Sequence, residues 1–217
     1  MGILKSLLIL GSWILICISV AIYCHKYFPK QKELSRKIVH IGTGPIIPMA
    51  WWLDISSEIA AIASFFVTLC LIINYKFRFV SAVEDIQRQS YGTIAYASSI
   101  TILIILFWNS NPSAVCAGVL VMAFGDGLAG LLGRQIKSSN WQILGQTKSI
   151  AGTLTMLGMG TLMLFLITLN NFVNINLVQI ISISILATVL EQISVMGIDN
   201  LSVPLVTAFA WNWITKI

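Results

Sequence analysis

The least expected side chain in this sequence is an aspartate. Asp126 lies in Ala123-Phe124-Gly125-Asp126-Gly127-Leu128-Ala129-Gly130, inside an otherwise apolar run. A carboxylate at the centre of a membrane helix costs about 2.5–3.5 kcal/mol on insertion scales, so a retained one has a partner or a function. Gly130 and Gly133 follow at i+4 and i+7, on the same helical face, where backbone or ligand can approach closely. Two readings stay open: a metal-binding acid, or small-residue helix packing around a hydrogen-bonded one. The formal Gly125-x-Gly127-x-x-Gly130 match to a dinucleotide fingerprint carries nothing, because no strand precedes it.

Further along come Arg134, Lys137 and the run Gly145-Gln146-Thr147-Lys148-Ser149-Ile150-Ala151-Gly152-Thr153. A lysine, hydroxyls and glycines at a helix start are what phosphate recognition needs, since free N–H groups and the positive dipole end attract anions. The same residues also read as an N-cap, Thr147 or Ser149, beside a topogenic lysine. They do not form a Walker A loop. Arg36 and His40 are spaced i,i+4 and point at one interfacial site, with a packed histidine as the alternative. Glu191, Asp199 and Asn200 offer hard oxygen donors of the kind Mg²⁺ takes together with substrate phosphates. Asp54 and Glu58 read as solvated loop charges.

The elements that must position these groups are membrane helices. Of 217 residues, 57% are hydrophobic and only 10% charged; a soluble domain carries about 25% charged residues. The mean hydropathy is +0.89. Such a chain lacks the polar side chains to cover a water-facing surface, which excludes a cytosolic globular enzyme, a nucleic-acid-binding module and a disordered segment. The expected fold is all-α, a polytopic transmembrane bundle forming one integral-membrane domain over 1–217. Candidate spans are 3–23, 38–53, 59–75, 93–109, 113–133, 150–169, 177–193 and 201–215, seven or eight in all, the second and last being short. The first reads as a retained span and not a cleaved signal, because it is long and a basic segment follows at once. The cysteines, Cys17, Cys24, Cys70 and Cys116, sit in apolar surroundings and read as small hydrophobes.

Net charge is +5, and its distribution matters more than its size. The first, third and fifth loops hold five, three and three of the 13 cations. Positive-inside places these loops in the cytoplasm and both termini outside. Asp126, Arg134, Lys148, His40, Glu191 and Asp199 then all fall near the cytoplasmic face. Carboxylates for a metal and cations for phosphate suit chemistry that joins a soluble phosphate donor to a membrane-embedded acceptor.

The motifs resemble the CTP-dependent polyprenol kinase family, which holds phytol kinase, dolichol kinase and a CTP-using diacylglycerol kinase. The matching stretches are Arg36-Lys37-Ile38-Val39-His40-Ile41-Gly42-Thr43-Gly44, Gln89-Ser90-Tyr91-Gly92-Thr93, Gly125-Asp126-Gly127-Leu128-Ala129 with Gly133-Arg134, Lys148 to Thr153, and Glu191 with Asp199-Asn200-Leu201-Ser202-Val203-Pro204-Leu205. They run in family order, and the compact length resembles the phytol kinase branch. Gly127 departs from the alanine often found there.

The resemblance implies transfer of the γ-phosphoryl group of CTP, or UTP, to a membrane isoprenoid alcohol, with phytol first and farnesol or geranylgeraniol as alternatives. Phytol phosphorylated in this way feeds tocopherol, phylloquinone or chlorophyll synthesis. It implies Mg²⁺ held by Asp126, Asp199 and Glu191, and catalytic roles for Asp126, Lys148, Arg134 and His40. Nucleotide contacts fall to Arg36, Lys37, Gly125, Gly133, Ser149, Gly152, Thr153 and Asn200. The partners are CTP, the lipid alcohol and membrane lipid, with no nucleic acid. The setting is a plasma or thylakoid membrane if the source is a photosynthetic bacterium. Rival readings are a cytidylyltransferase acting on a lipid phosphate, and a transporter of lipids or small molecules.

Overall fold

The computed structural model describes residues 2–28, 32–80, 91–171 and 175–216. Lys30, Arg88 and the Gln89-Ser90 part of the second matching stretch lie outside them.

The chain folds as a helical bundle built around one buried rod. That rod is α6 (Pro112–Leu120), a π-helical turn (Val121–Asp126) and α7 (Gly127–Gln135). Pro112 at its first turn gives up no hydrogen bond, because that N–H would have had no helical partner. Ala114, Val115, Ala117, Val119, Val121, Met122 and Ala123 have no exposed surface at all. Small side chains let neighbouring backbones come close. At Gly118, an added Cβ would strike the Pro204 carbonyl of α10 (Asp199–Thr215).

Around the rod stand α1 (Ile3–Tyr27), α4 (Ser57–Phe77), α5 (Gly92–Phe107), α8 (Ile150–Asn171) and α9 (Leu177–Ile193). The outer helices turn large apolar side chains away from the core: Leu4, Leu8 and Leu15 on α1, Phe65 and Phe66 on α4. In water this surface would aggregate; in lipid it is the ordinary exterior. Four helical segments, Ile3–Tyr27, Ser57–Phe77, Pro112–Gln135 and Ile150–Leu169, are long and apolar enough to cross a membrane, and two shorter apolar helices accompany them. The cysteines are all free, with Cys17 and Cys116 buried and Cys70 on the outer surface.

Two expectations need correction. The span expected at 38–53 is two helices, α2 (Lys32–Thr43) and α3 (Ile46–Trp52), meeting at Gly44-Pro45. Proline has no N–H to continue the helical ladder. The chain turns there on bonds from Gly44 N–H to the Ile41 carbonyl (3.2 Å) and from Ile47 N–H to the Gly44 carbonyl (3.3 Å). Because α2 starts six residues early, Arg36 and Lys37 belong to a helix face and not to a loop. The second correction is the fifth loop, which is a β-hairpin of β1 (Asn140–Ile143) and β2 (Gln146–Ser149). Its turn residues, Leu144 and Gly145, have φ of 49° and 77°, as the two-residue turn that matches strand twist requires.

The α2–α3 elbow rests on the rod with little clearance: a Cβ at Gly44 would lie 2.6 Å from that of Ala123. Gly44→Ala is therefore expected to destabilise the protein by about 1–3 kcal/mol through overpacking, read as a fall in Tm of the detergent-solubilised chain. An unchanged Tm would show that elbow and rod do not touch.

Candidate active site

On α2, Glu33, Arg36, Lys37 and His40 are spaced i, i+3, i+4 and i+7 and share one face, which packs against α7 and the π turn. Lys37 reaches into the rod. Its Nζ donates to Asp126 Oδ2 at 2.6 Å and to the Asp126 carbonyl at 3.1 Å. Gly130 makes this reach feasible, since a Cβ there would lie 2.8 Å from Lys37 Cε. The missing side chain read from sequence as room for a ligand is room for a lysine. His40 Nε2 stands 3.5 Å from the same Asp126 oxygen and 3.3 Å from the Met122 carbonyl. A carbonyl only accepts, so that ring nitrogen carries the proton. The irregular turn thus sits where the rod carries its one acid, as π turns often do at functional sites.

From the other side come the hairpin, α9 and α10. Lys148 on β2 forms an ion pair with Glu191 and also donates to its carbonyl at 2.9 Å. Gln192 Nε2 donates to the other Glu191 oxygen (2.8 Å) and to Thr153 Oγ1 (3.0 Å). Asp199 opens α10 just after a turn at Met196 and Gly197, whose φ values are 55° and 86°. The Asn200 N–H donates to Asp199 Oδ1 at 3.1 Å, and Asn200 itself is buried.

One carboxylate oxygen each from Asp126, Glu191 and Asp199 lies within 4.8 Å of the other two. Two lysines face three acids, so a negative charge is left over, and Asp199 has an ion pair with neither lysine among the described residues. Three convergent hard oxygen donors with spare charge fit a divalent cation such as Mg²⁺.

Arg36 and Arg134 both pair with Glu33, Arg36 at 3.3 Å. Glu33 was missing from the sequence reading, although its place three residues before Arg36 puts it on the same face. Arg134 keeps 59% of its side chain exposed, free to meet a ligand from the aqueous side.

Four of the expected nucleotide contacts, Ser149, Gly152, Gly133 and Gly125, also make capping or packing contacts within the protein. The N–H groups of the first turn of α8 are already used: Ile150 bonds the Ser139 carbonyl, Ala151 the Ser138 hydroxyl and Gly152 the Ser149 hydroxyl. Ser149 in turn donates to the Gly133 carbonyl at 3.1 Å, and Gly133 and Gly152 let α7 and α8 touch there. Ser149 caps α8, as one of its two readings expected. Gly125 faces Met156 of α8 and lies outside the cavity described next.

Apart from Gly125, the expected site residues border one cavity of about 1270 Å³. Its polar end holds the acids, lysines and arginines. Its apolar part runs between α1, α3, α4 and α5, bordered for example by Ile14, Ile47, Val67 and Ile104. The arrangement offers charge to a phosphate chain at one end and hydrocarbon to a tail at the other.

Lys37 and Asp126 are a buried pair, 8% and 14% exposed. Lys37→Met should cost about 3–5 kcal/mol by stranding the acid, and adding Asp126→Asn should restore most of it. Thermal unfolding of both variants in detergent checks this; a double variant no better than the single would remove the pairing argument.

No family model matches the chain, and no solved structure matches it. Among curated proteins, "Phytol kinase" of Synechocystis sp. is 41% identical over 183 residues, covering 82% of this chain and 78% of that protein. "Phytol kinase 1, chloroplastic" of Arabidopsis thaliana is 27% identical over 202 residues, 83% of this chain and 66% of the plant protein. "Probable phytol kinase 1, chloroplastic" of Glycine max is 28% identical over 199 residues, 82% of this chain and 65% of its own length. With that degree of identity over most of both chains in the cyanobacterial case, this chain belongs to the phytol kinase family.

Proposed function

We propose that this chain moves the γ-phosphoryl group of CTP to the primary hydroxyl of phytol at the cytoplasmic boundary of a membrane. The observation that carries the reading is the meeting of three carboxylates and two lysines at the mouth of an apolar cavity. A purely apolar pocket would hold the alcohol but not the nucleotide.

Phosphoryl transfer needs positioning and charge neutralisation more than covalent chemistry. Asp126, Glu191 and Asp199 would hold Mg²⁺, which when bound offsets charge on the phosphate oxygens. Lys37 and Lys148 add positive charge beside those acids. Arg134 and Arg36, steered by Glu33, close the aqueous side of the triphosphate, Arg134 meeting the charge that grows in transfer. With the α8 N–H groups committed to the protein, these side chains carry phosphate recognition. His40 stands between Asp126 and the apolar part of the cavity, within reach of a hydroxyl presented there. Apolar burial of the tail contributes about 0.8 kcal/mol per CH₂, which holds the alcohol without any polar contact. In this reading the chain crosses the membrane seven or eight times with its N-terminus outside, and the cation-rich loops share the side of the site.

Asp199→Asn separates function from folding. Because Asp199 pairs with no lysine among the described residues, the variant is expected to keep or gain thermal stability, yet to lose kinase activity by about 100-fold or more. The assay follows γ-labelled CTP with phytol in vesicles and reads CDP and phytyl phosphate. Near-normal turnover in Asp199→Asn would refute the site, and release of pyrophosphate would make the enzyme a cytidylyltransferase.

A further inference from the structure

The apolar part of the cavity has a polar atom on α5 where hydrocarbon begins and, at its far end, the aromatic ring of the residue that follows α5. Tyr96 borders the cavity with 6% of its surface exposed. Its ring lies 4.3 Å from that of His40, one residue removed from Asp126. The phenol is beside Thr43, whose own hydroxyl donates to the His40 carbonyl, and it makes no well-formed hydrogen bond among the described residues. A buried hydroxyl without a partner loses free energy unless something else satisfies it.

Ile100, Ile104 and Trp108 follow Tyr96 at four-residue intervals and border the same cavity. Trp108 is fixed in place, with its indole N–H donating to the Ile55 carbonyl at 2.9 Å, and both residues are buried. From Tyr96 to Trp108 is about 18 Å at a rise of about 1.5 Å per residue. A staggered hydrocarbon chain with bonds of about 1.5 Å advances about 1.3 Å per bond, so this depth takes about fourteen carbons. A twenty-carbon isoprenoid alcohol, with branching methyls set aside, has a main chain close to that length.

We infer that this stripe of α5 is a ruler for the alcohol: Tyr96 takes the hydroxyl as its hydrogen-bond partner, and Trp108 stops the tail. The inference rests on the kinase reading and adds a positioning residue and a length limit to it. Tyr96 sets where the reacting oxygen lies relative to Asp126, while Ile100 and Ile104 set the bore between. Longer polyprenols would have to leave their ends outside, and shorter alcohols would leave part of the bore empty.

The test uses the full chain in vesicles with γ-labelled CTP and primary isoprenoid alcohols of ten, fifteen, twenty and forty-five carbons, read as kcat/KM for each. Wild type should favour the twenty-carbon alcohol over the forty-five-carbon one by about tenfold or more. Ile104→Phe shortens the bore and should shift the ratio of fifteen- to twenty-carbon efficiency upward by about tenfold. Trp108→Ala should raise the relative efficiency of the longest alcohol. If that variant fails to fold, Ile104→Phe decides alone. Tyr96→Phe should lower efficiency for every alcohol roughly tenfold while the KM for CTP stays unchanged. Equal efficiency for twenty and forty-five carbons in wild type, or an Ile104→Phe variant that lowers all lengths alike, overturns the ruler and leaves the kinase standing. Absence of turnover with every alcohol overturns both.

Discussion

Like charges held close together inside a membrane protein set the terms for everything else in this structure. Three carboxylates converge within 4.8 Å, where the surroundings screen charge far less than water does. Left alone, such a cluster would push its helices apart or take up protons. Lys37 and Lys148 prevent that by entering from opposite sides, one from α2 and one from the hairpin, each bonding both a carboxylate and a backbone carbonyl. A bundle closed without either lysine would hold an unpaired acid in its interior.

That requirement explains features that otherwise look unrelated. α2 must begin early enough for its basic face to lie against α7, and the elbow at Gly44-Pro45 lets it do so while α3 returns to the core. Gly130 must lack a side chain because Lys37 occupies the space. The hairpin must project Lys148 toward α9, and its mirror-image turn at Leu144-Gly145 gives it the twist to stay paired. Balance is incomplete: two ammonium groups against three acids leave one carboxylate, Asp199, without a lysine among the described residues.

Much of this was legible beforehand. The bundle follows from composition, and the acids and lysines stood out because charge in an apolar run needs a reason. What escaped had weak local signals. The hairpin strands are short and polar, and its turn carries a leucine in a left-handed conformation where an asparagine or aspartate would have announced it. Lys37 was visible, but its partner is 89 residues away, a distance at which no spacing rule applies. Glu33 drew no reading because the start of α2 lay within a segment read as connecting chain. The glycines and hydroxyls near Ser149 had two physical explanations, and the capping one becomes visible only in the hydrogen bonds of the first α8 turn. Tyr96 drew no attention because an aromatic residue in an apolar helix is ordinary until its hydroxyl is seen without a partner among the described residues.

The π turn at Val121–Asp126 has a consequence for how this rod tolerates change. A turn of that kind holds one residue more than a regular helix would, and a residue corresponds to about 100° of rotation. The half before it directs Gly118 at α10, and the half after it directs Gly130 and Gly133 at α2 and α8. The extra residue is taken up inside the turn, so both halves keep the faces that an uninterrupted helix one residue shorter would give them. Losing one of the apolar residues 121–124 would let the turn close to a regular helix with Asp126 and the glycines still facing their neighbours, whereas the same loss elsewhere in the rod would swing one half away from the other; the turn is the slack that lets the rod absorb a change in length.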